Sequence, residues 1–185
     1  MSSRPDEMIA AAIASHERLL ATVDRLGDAE VSAPTRLPRW SRGHVLTKIA
    51  LSADSHRWLF DGALAGEVRD QYPIAGMRER DIESGAARSV EEMRDDLRES
   101  FRLLVSAWNA LSDDMWNRNG RVIPGERPMH EIVFRFFREV EVHHLDLDVG
   151  YEIDNWPDLY VDGEMLRRLV RWLLDRGPAP ELAPW

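Results

Sequence analysis

The stretch that decides the fold is PMHEIVFRFFREVEVHHLDLDVG, residues Pro128 to Gly150. Proline can open a helix and glycine can close one, so the ends are punctuated. Between them Phe134, Phe136, Phe137, Val140, Leu145 and Leu147 leave little polar surface, which predicts a helix buried among others. Within it Glu139 and His143 stand four apart and stack on one face, with Asp146 a third polar group nearby. A carboxylate and an imidazole one turn apart suit a divalent metal such as zinc or iron, at about 2.0–2.2 Å. The same spacing also occurs on solvated faces, where it makes a small ion pair and binds nothing. Burial favours the first reading, because a buried charge demands a partner. His144 turns roughly 100° from His143, and it and His130 read as structural or solvent-facing.

Working outward, helix one is predicted from near Pro5 to Gly27, with Ile9, Ile13, His16, Leu20 and Val23 recurring at helical spacing. Ser41 caps a second helix reaching Gly62 or Gly66; Val45, Ile49, Ala53, His56 and Phe60 share one side, and Lys48 and Ser52 border it. The third opens on a capping box, Ser89 with Glu92, and carries Met93, Leu97, Phe101, Leu104 and Trp108. Residues 66–88 show no sustained period and read as a long connection of the kind that shapes a binding cleft. Asn119-Gly120 and Pro124-Gly125 mark a turn or short hairpin. A fifth helix, Asp162 to Arg176, presents Met165, Leu166, Leu169, Val170, Leu173 and Leu174, and stops at Gly177 before an irregular tail. Trp58, Trp108 and Trp172 are expected in the core, and Trp40 as a brace for the start of the second helix. The chain therefore reads as all-α, a helical bundle forming one domain over residues 1–185.

Composition narrows the function. With 33 acidic and 24 basic residues the net charge is −9, a field that repels phosphate backbones and anionic lipid, so neither nucleic acid nor membrane is expected as a partner. No apolar run approaches the ~20 residues of a membrane span, and Met1 to Glu7 lack a signal-peptide pattern, so a cytoplasmic location is expected. Cysteine is absent, which excludes a thiol nucleophile and thiolate ligands in the chain itself; sulfur chemistry must borrow a small-molecule thiol. Of the 24 basic residues, only Lys48 is lysine.

Trp40-Ser-Arg-Gly-His44-Val-Leu-Thr-Lys48-Ile-Ala50, followed by Arg138-Glu139-Val-Glu-Val-His143-His-Leu-Asp146-Leu147, resembles the two signature segments of the mycothiol-dependent maleylpyruvate isomerases. Ala14-Ser-His16 and Arg78-Glu-Arg-Asp-Ile82-Glu-Ser-Gly85 match in the expected order. The resemblance implies a DinB-like four-helix bundle, here with an additional C-terminal helix. It further implies a metal held at positions 48, 139 and 143, and a mycothiol-dependent cis-trans isomerase or S-transferase acting on a small molecule. A homodimer is one possible assembly, which the sequence does not decide. Position 48 departs from the pattern, since a protonated ammonium has no lone pair to give. Lys48 loses its proton beside a metal, His44 or His56 substitutes, or no metal binds and Lys48 neutralises Glu139 itself. Lys48, Arg78 and His16 are the candidate catalytic residues. Arg78 suits a dicarboxylate through bidentate hydrogen bonds or is an ordinary surface arginine, and His16 is a cleft residue or a core histidine. The family's isomerase carries a second, sterol-carrier-like domain after the bundle, for which no room is expected before Trp185. The rival function is a metal-free bundle of the same fold repurposed to bind a small molecule or a partner protein.

Overall fold

The computed structural model describes residues 4–123 and 125–175, with side chains to Trp172. In chain order it contains α1 (Asp6–Val23), the single turn α2 (Asp28–Val31), α3 (Arg42–Ala65), α4 (Met77–Gly85) and α5 (Val90–Ala110). A two-stranded antiparallel hairpin follows, β1 (Asn119–Val122) paired with β2 (Gly125–Pro128), and then α6 (Met129–Asp146) and α7 (Asp158–Asp175). Helices α1, α3, α5 and α6 form the bundle, with α3 packed on α5 and α6, and α1 on α6. None of the described helices is long and apolar enough to cross a membrane.

Local chemistry sets the ends of these helices. The Ser89 hydroxyl accepts from the Glu92 amide at 3.3 Å while the Glu92 carboxylate accepts from the Ser89 amide at 2.8 Å, so two amides that the first turn of α5 leaves free are satisfied. Helix α3 stops where Gly66 takes φ +77°, a left-handed conformation open to glycine without penalty. The core is aromatic where the four long helices meet: Phe101 lies 5.6 Å from Phe136 in a stacked pair, and Trp108 meets Phe60 edge-on at 6.1 Å.

Three sequence expectations require correction. The connection 66–88 is not without structure, because Met77–Gly85 is helical; two turns are too short to show a period. Trp58 is 40% exposed rather than core: its indole N–H donates to the Asp70 carbonyl at 3.2 Å, and the Arg69 guanidinium sits 3.9 Å from the ring centroid. Trp108 is fully buried as expected, whereas Trp172 is only partly so. The third correction is α7. Met165, Leu166, Leu169 and Val170 point outward, between 45% and 63% exposed, and the opposite face docks on α6. There Tyr160 packs edge-on to Phe137 at 5.7 Å, and the Arg167 guanidinium covers the Phe134 ring at 4.6 Å. Periodicity identifies an amphipathic helix but not which face finds the better partner. The side chains of Leu173 and Leu174, the stop at Gly177 and the tail lie outside the described residues.

Gly163 is where α7 comes closest to α6. A Cβ there would stand 2.4 Å from Phe134 Cε2, inside van der Waals contact. Gly163→Ala is expected to destabilise by roughly 1–3 kcal/mol through overpacking, lowering the thermal midpoint by roughly 3–8 °C in circular dichroism. An unchanged midpoint would mean that α7 does not dock by this face.

Candidate active site

Helices α3 and α6 each present a polar row at a spacing of four, Lys48, Ser52 and His56 on one and Arg135, Glu139 and His143 on the other. The rows face each other across the contact between α3 and α6. Lys48 Nζ donates to Glu139 Oε2, across 91 positions of sequence, and His143 Nε2 lies 3.5 Å from the same oxygen. The other ring nitrogen of His143 is 2.7 Å from Asp146 Oδ2, which fixes the orientation of the imidazole. Positions 48, 139 and 143 therefore converge, as the resemblance requires.

The electrostatics follow from burial. Lys48 is 7% exposed, and desolvation pulls its ammonium below the usual lysine value, against the opposing pull of Glu139. Desolvation works against ionised Glu139 as well, but the His143 contact and the charge of Lys48 outweigh it and hold the carboxyl well below its ordinary range. Beside this group opens a cleft of about 380 Å³ between α3, α6 and the segment 71–79; Glu139, Ser52, His56, Arg135, Tyr72 and Arg78 are among its walls. Arg78 lines the cleft from the 71–79 segment, with its Nη1 3.2 Å from Glu79 Oε1.

His16 is not a wall of this cleft. It is 1% exposed and stacks on Phe101 at 3.9 Å; burial lowers its pKa to about 3, and neither ring nitrogen has a hydrogen-bond partner among the described residues. His44 points elsewhere: its Nδ1 accepts from the Ser41 amide at 3.1 Å, capping α3, and its Nε2 lies 3.3 Å from Glu83. His144 is buried, with Nε2 2.9 Å from the Thr22 hydroxyl, and His130 Nδ1 meets the Trp116 carbonyl at 3.1 Å, so both are structural.

Sequence reasoning missed Arg135, although its place four before Glu139 was legible, and it missed Glu141. Glu141 is fully buried on the α1 side of α6, accepting from Ser15, from Arg18 at 2.8 Å and from Tyr151. A lone carboxylate between Val140 and Val142 was the available signal.

The donor set can be tested against the metal that the resemblance implies. Glu139 and His143 remain as donors, but the third position presents an ammonium already hydrogen-bonded to Glu139, and no group of three histidine or carboxylate donors suited to a metal ion occurs among the described residues. These residues do not fit a zinc ion held in the family manner.

The fold and the cleft define a helical-bundle protein with a buried charged group beside a small-molecule-sized cavity that Glu139 lines. Residues 12–148 match the family model for the mycothiol maleylpyruvate isomerase N-terminal domain, and the chain belongs to that family. Among solved structures it is similar to the mycothiol-dependent maleylpyruvate isomerase and to a histidine-to-alanine mutant of that enzyme, each at TM-score 0.81 and 23% identity over 85% of this chain. The alignment spans 66% of each of those chains. No curated protein matches the chain in sequence.

Proposed function

We propose that this protein binds a small carboxylate substrate together with a low-molecular-weight thiol of the mycothiol type in the α3–α6 cleft, and catalyses thiol-dependent isomerisation or thiol transfer there. The observation that carries the reading is the convergence of Lys48, Glu139 and His143 beside the cleft in a chain of this family. A bound thiol supplies the nucleophilic sulfur that a chain without cysteine lacks. Arg78 lines the cleft and supplies positive charge there, which favours a thiolate over a thiol and so lowers the pH at which sulfur becomes reactive. Lys48 and Glu139 neutralise each other beside it, and Asp146 orients His143. The Arg78 guanidinium has the fork geometry to take a substrate carboxylate by two hydrogen bonds.

The test is isomerisation of maleylpyruvate with and without mycothiol. Turnover requiring the thiol is expected, and Arg78→Gln is expected to raise KM on the order of 10–100-fold, with a smaller change in kcat. Turnover indifferent to the thiol, or no thiol binding by calorimetry, would sink the proposal. The Lys48–Glu139 contact favours one rival, a metal-free bundle that binds small molecules without reacting them, because the pair is balanced as it stands. Thiol and carboxylate binding without turnover would select that rival.

A further inference from the structure

The polar groups of α3 and α6 differ in how far they are satisfied. Lys48, Glu139, His143 and Asp146 satisfy one another. His56 and Arg135 both line the cleft and both keep a buried nitrogen without a partner among the described residues, His56 Nε2 and Arg135 Nε. His56 is 2% exposed, and its Nδ1 lies 2.7 Å from the Ser52 carbonyl one turn back. A carbonyl can only accept, so the proton sits on Nδ1 and Nε2 is left as a bare acceptor. Burial lowers the His56 pKa to about 4, which keeps the ring in that neutral form at pH 7. Arg135 donates through Nη2 to the Ile123 carbonyl at 2.9 Å and has no ion pair among the described residues. Burial weighs most against its charge and the charges of Arg167, Arg138 and Arg127 add to that, while Glu139 partly offsets them. The cleft is thus lined by a cation that makes no ion pair among the described residues and by an imidazole acceptor that has no donor.

We propose that His56 and Arg135 form a subsite for a carboxylate that carries a hydroxyl on the adjacent carbon, a 2-hydroxy acid. The carboxylate accepts from Arg135, and the neighbouring hydroxyl donates to His56 Nε2. This ligand supplies both missing partners from adjacent atoms, whereas a plain carboxylate supplies only one and sets its own lone pairs against Nε2. Arg78, which also lines the cleft, is a cation for a second carboxylate. The inference rests on the proposed function only in taking the cleft as the ligand site.

The probes are L-malate and succinate, which differ by that hydroxyl, titrated into the whole chain by calorimetry at pH 7.5. Malate is expected to bind roughly 5–10-fold more tightly, the worth of one neutral hydrogen bond. His56→Phe is expected to bring malate to the succinate value, and His56→Gln, which keeps an acceptor, to restore part of the preference. Arg135→Gln is expected to weaken both acids on the order of 10–100-fold. Circular dichroism identifies any variant that has not folded, and the wild-type comparison stands without variants. Equal affinity for the two acids, a preference that survives His56→Phe in a folded protein, or no binding of either overturns the subsite. Thiol-dependent turnover with no malate preference sinks this inference alone; a malate preference without thiol binding sinks the proposed function alone.

Discussion

Lys48→Met is expected to destabilise the protein by roughly 2–4 kcal/mol, because it leaves the Glu139 carboxylate in a mostly buried position with its main counter-charge removed. The figure lies at the low end for a broken buried pair since the Glu139 side chain is 27% exposed and can recruit water. Removing both members, as Lys48→Met with Glu139→Leu, should recover most of the loss, because the desolvation of two charges disappears together with their attraction. Urea denaturation of the two single variants and the double variant measures the coupling. Independent, additive effects would show that the two side chains do not meet. Lys48→His changes the chemistry instead. An imidazole at that position joins Glu139 and His143 as a third donor, and about one zinc per chain is expected by elemental analysis after metal loading and desalting. A folded Lys48→His protein that retains no metal would show that these positions do not form the site the resemblance implies.

The second large effect is acid sensitivity. His16, His56 and His144 are all buried, and loss of hydration lowers their pKa values to about 3, 4 and 4. In the unfolded chain each ring takes up a proton near pH 6.5, so between that pH and 3–4 the unfolded state holds more protons than the folded one. Above pH 6.5 the rings are neutral in both states and add no dependence. As the pH falls below 6.5, stability falls with it, by on the order of 2 kcal/mol per ring at pH 5. The three together amount to ~6 kcal/mol, comparable to the whole stability of many domains. The urea midpoint at pH 5 should therefore lie far below that at pH 7, and His16→Phe should flatten the slope by one proton. A midpoint that does not move between those pH values would contradict the neutral burial of these rings.

His16 also marks a limit of reading by resemblance. Its place in the apolar stripe of helix one predicted burial, and burial is what the fold gives it. Its match to the family pattern raised the cleft reading, and only the stack on Phe101 places the ring in the aromatic core. Position 48 behaved in the opposite way. Nothing in helical periodicity singles it out, yet its identity as the one lysine of the chain and its place in a signature segment pointed to Glu139 before any contact was known.

What the sequence determined by itself is what depends on neighbours along the chain. The Ser89–Glu92 cap, the four-residue spacing of Glu139 and His143, and the apolar stripes of α1, α5 and α6 are local, because helical geometry fixes where residues three and four apart must lie. Tertiary structure decided everything that required choosing between faces. It turned the apolar stripe of α7 outward, because Tyr160, Gly163 and Arg167 pack more closely on Phe134 and Phe137 than that stripe does. It also set the polar row of α3 against that of α6, leaving one ring nitrogen of His56 and the Nε of Arg135 without a partner among the described residues. Contacts between residues tens of positions apart depend on which surfaces the whole bundle can bury together, and no window of sequence contains that comparison.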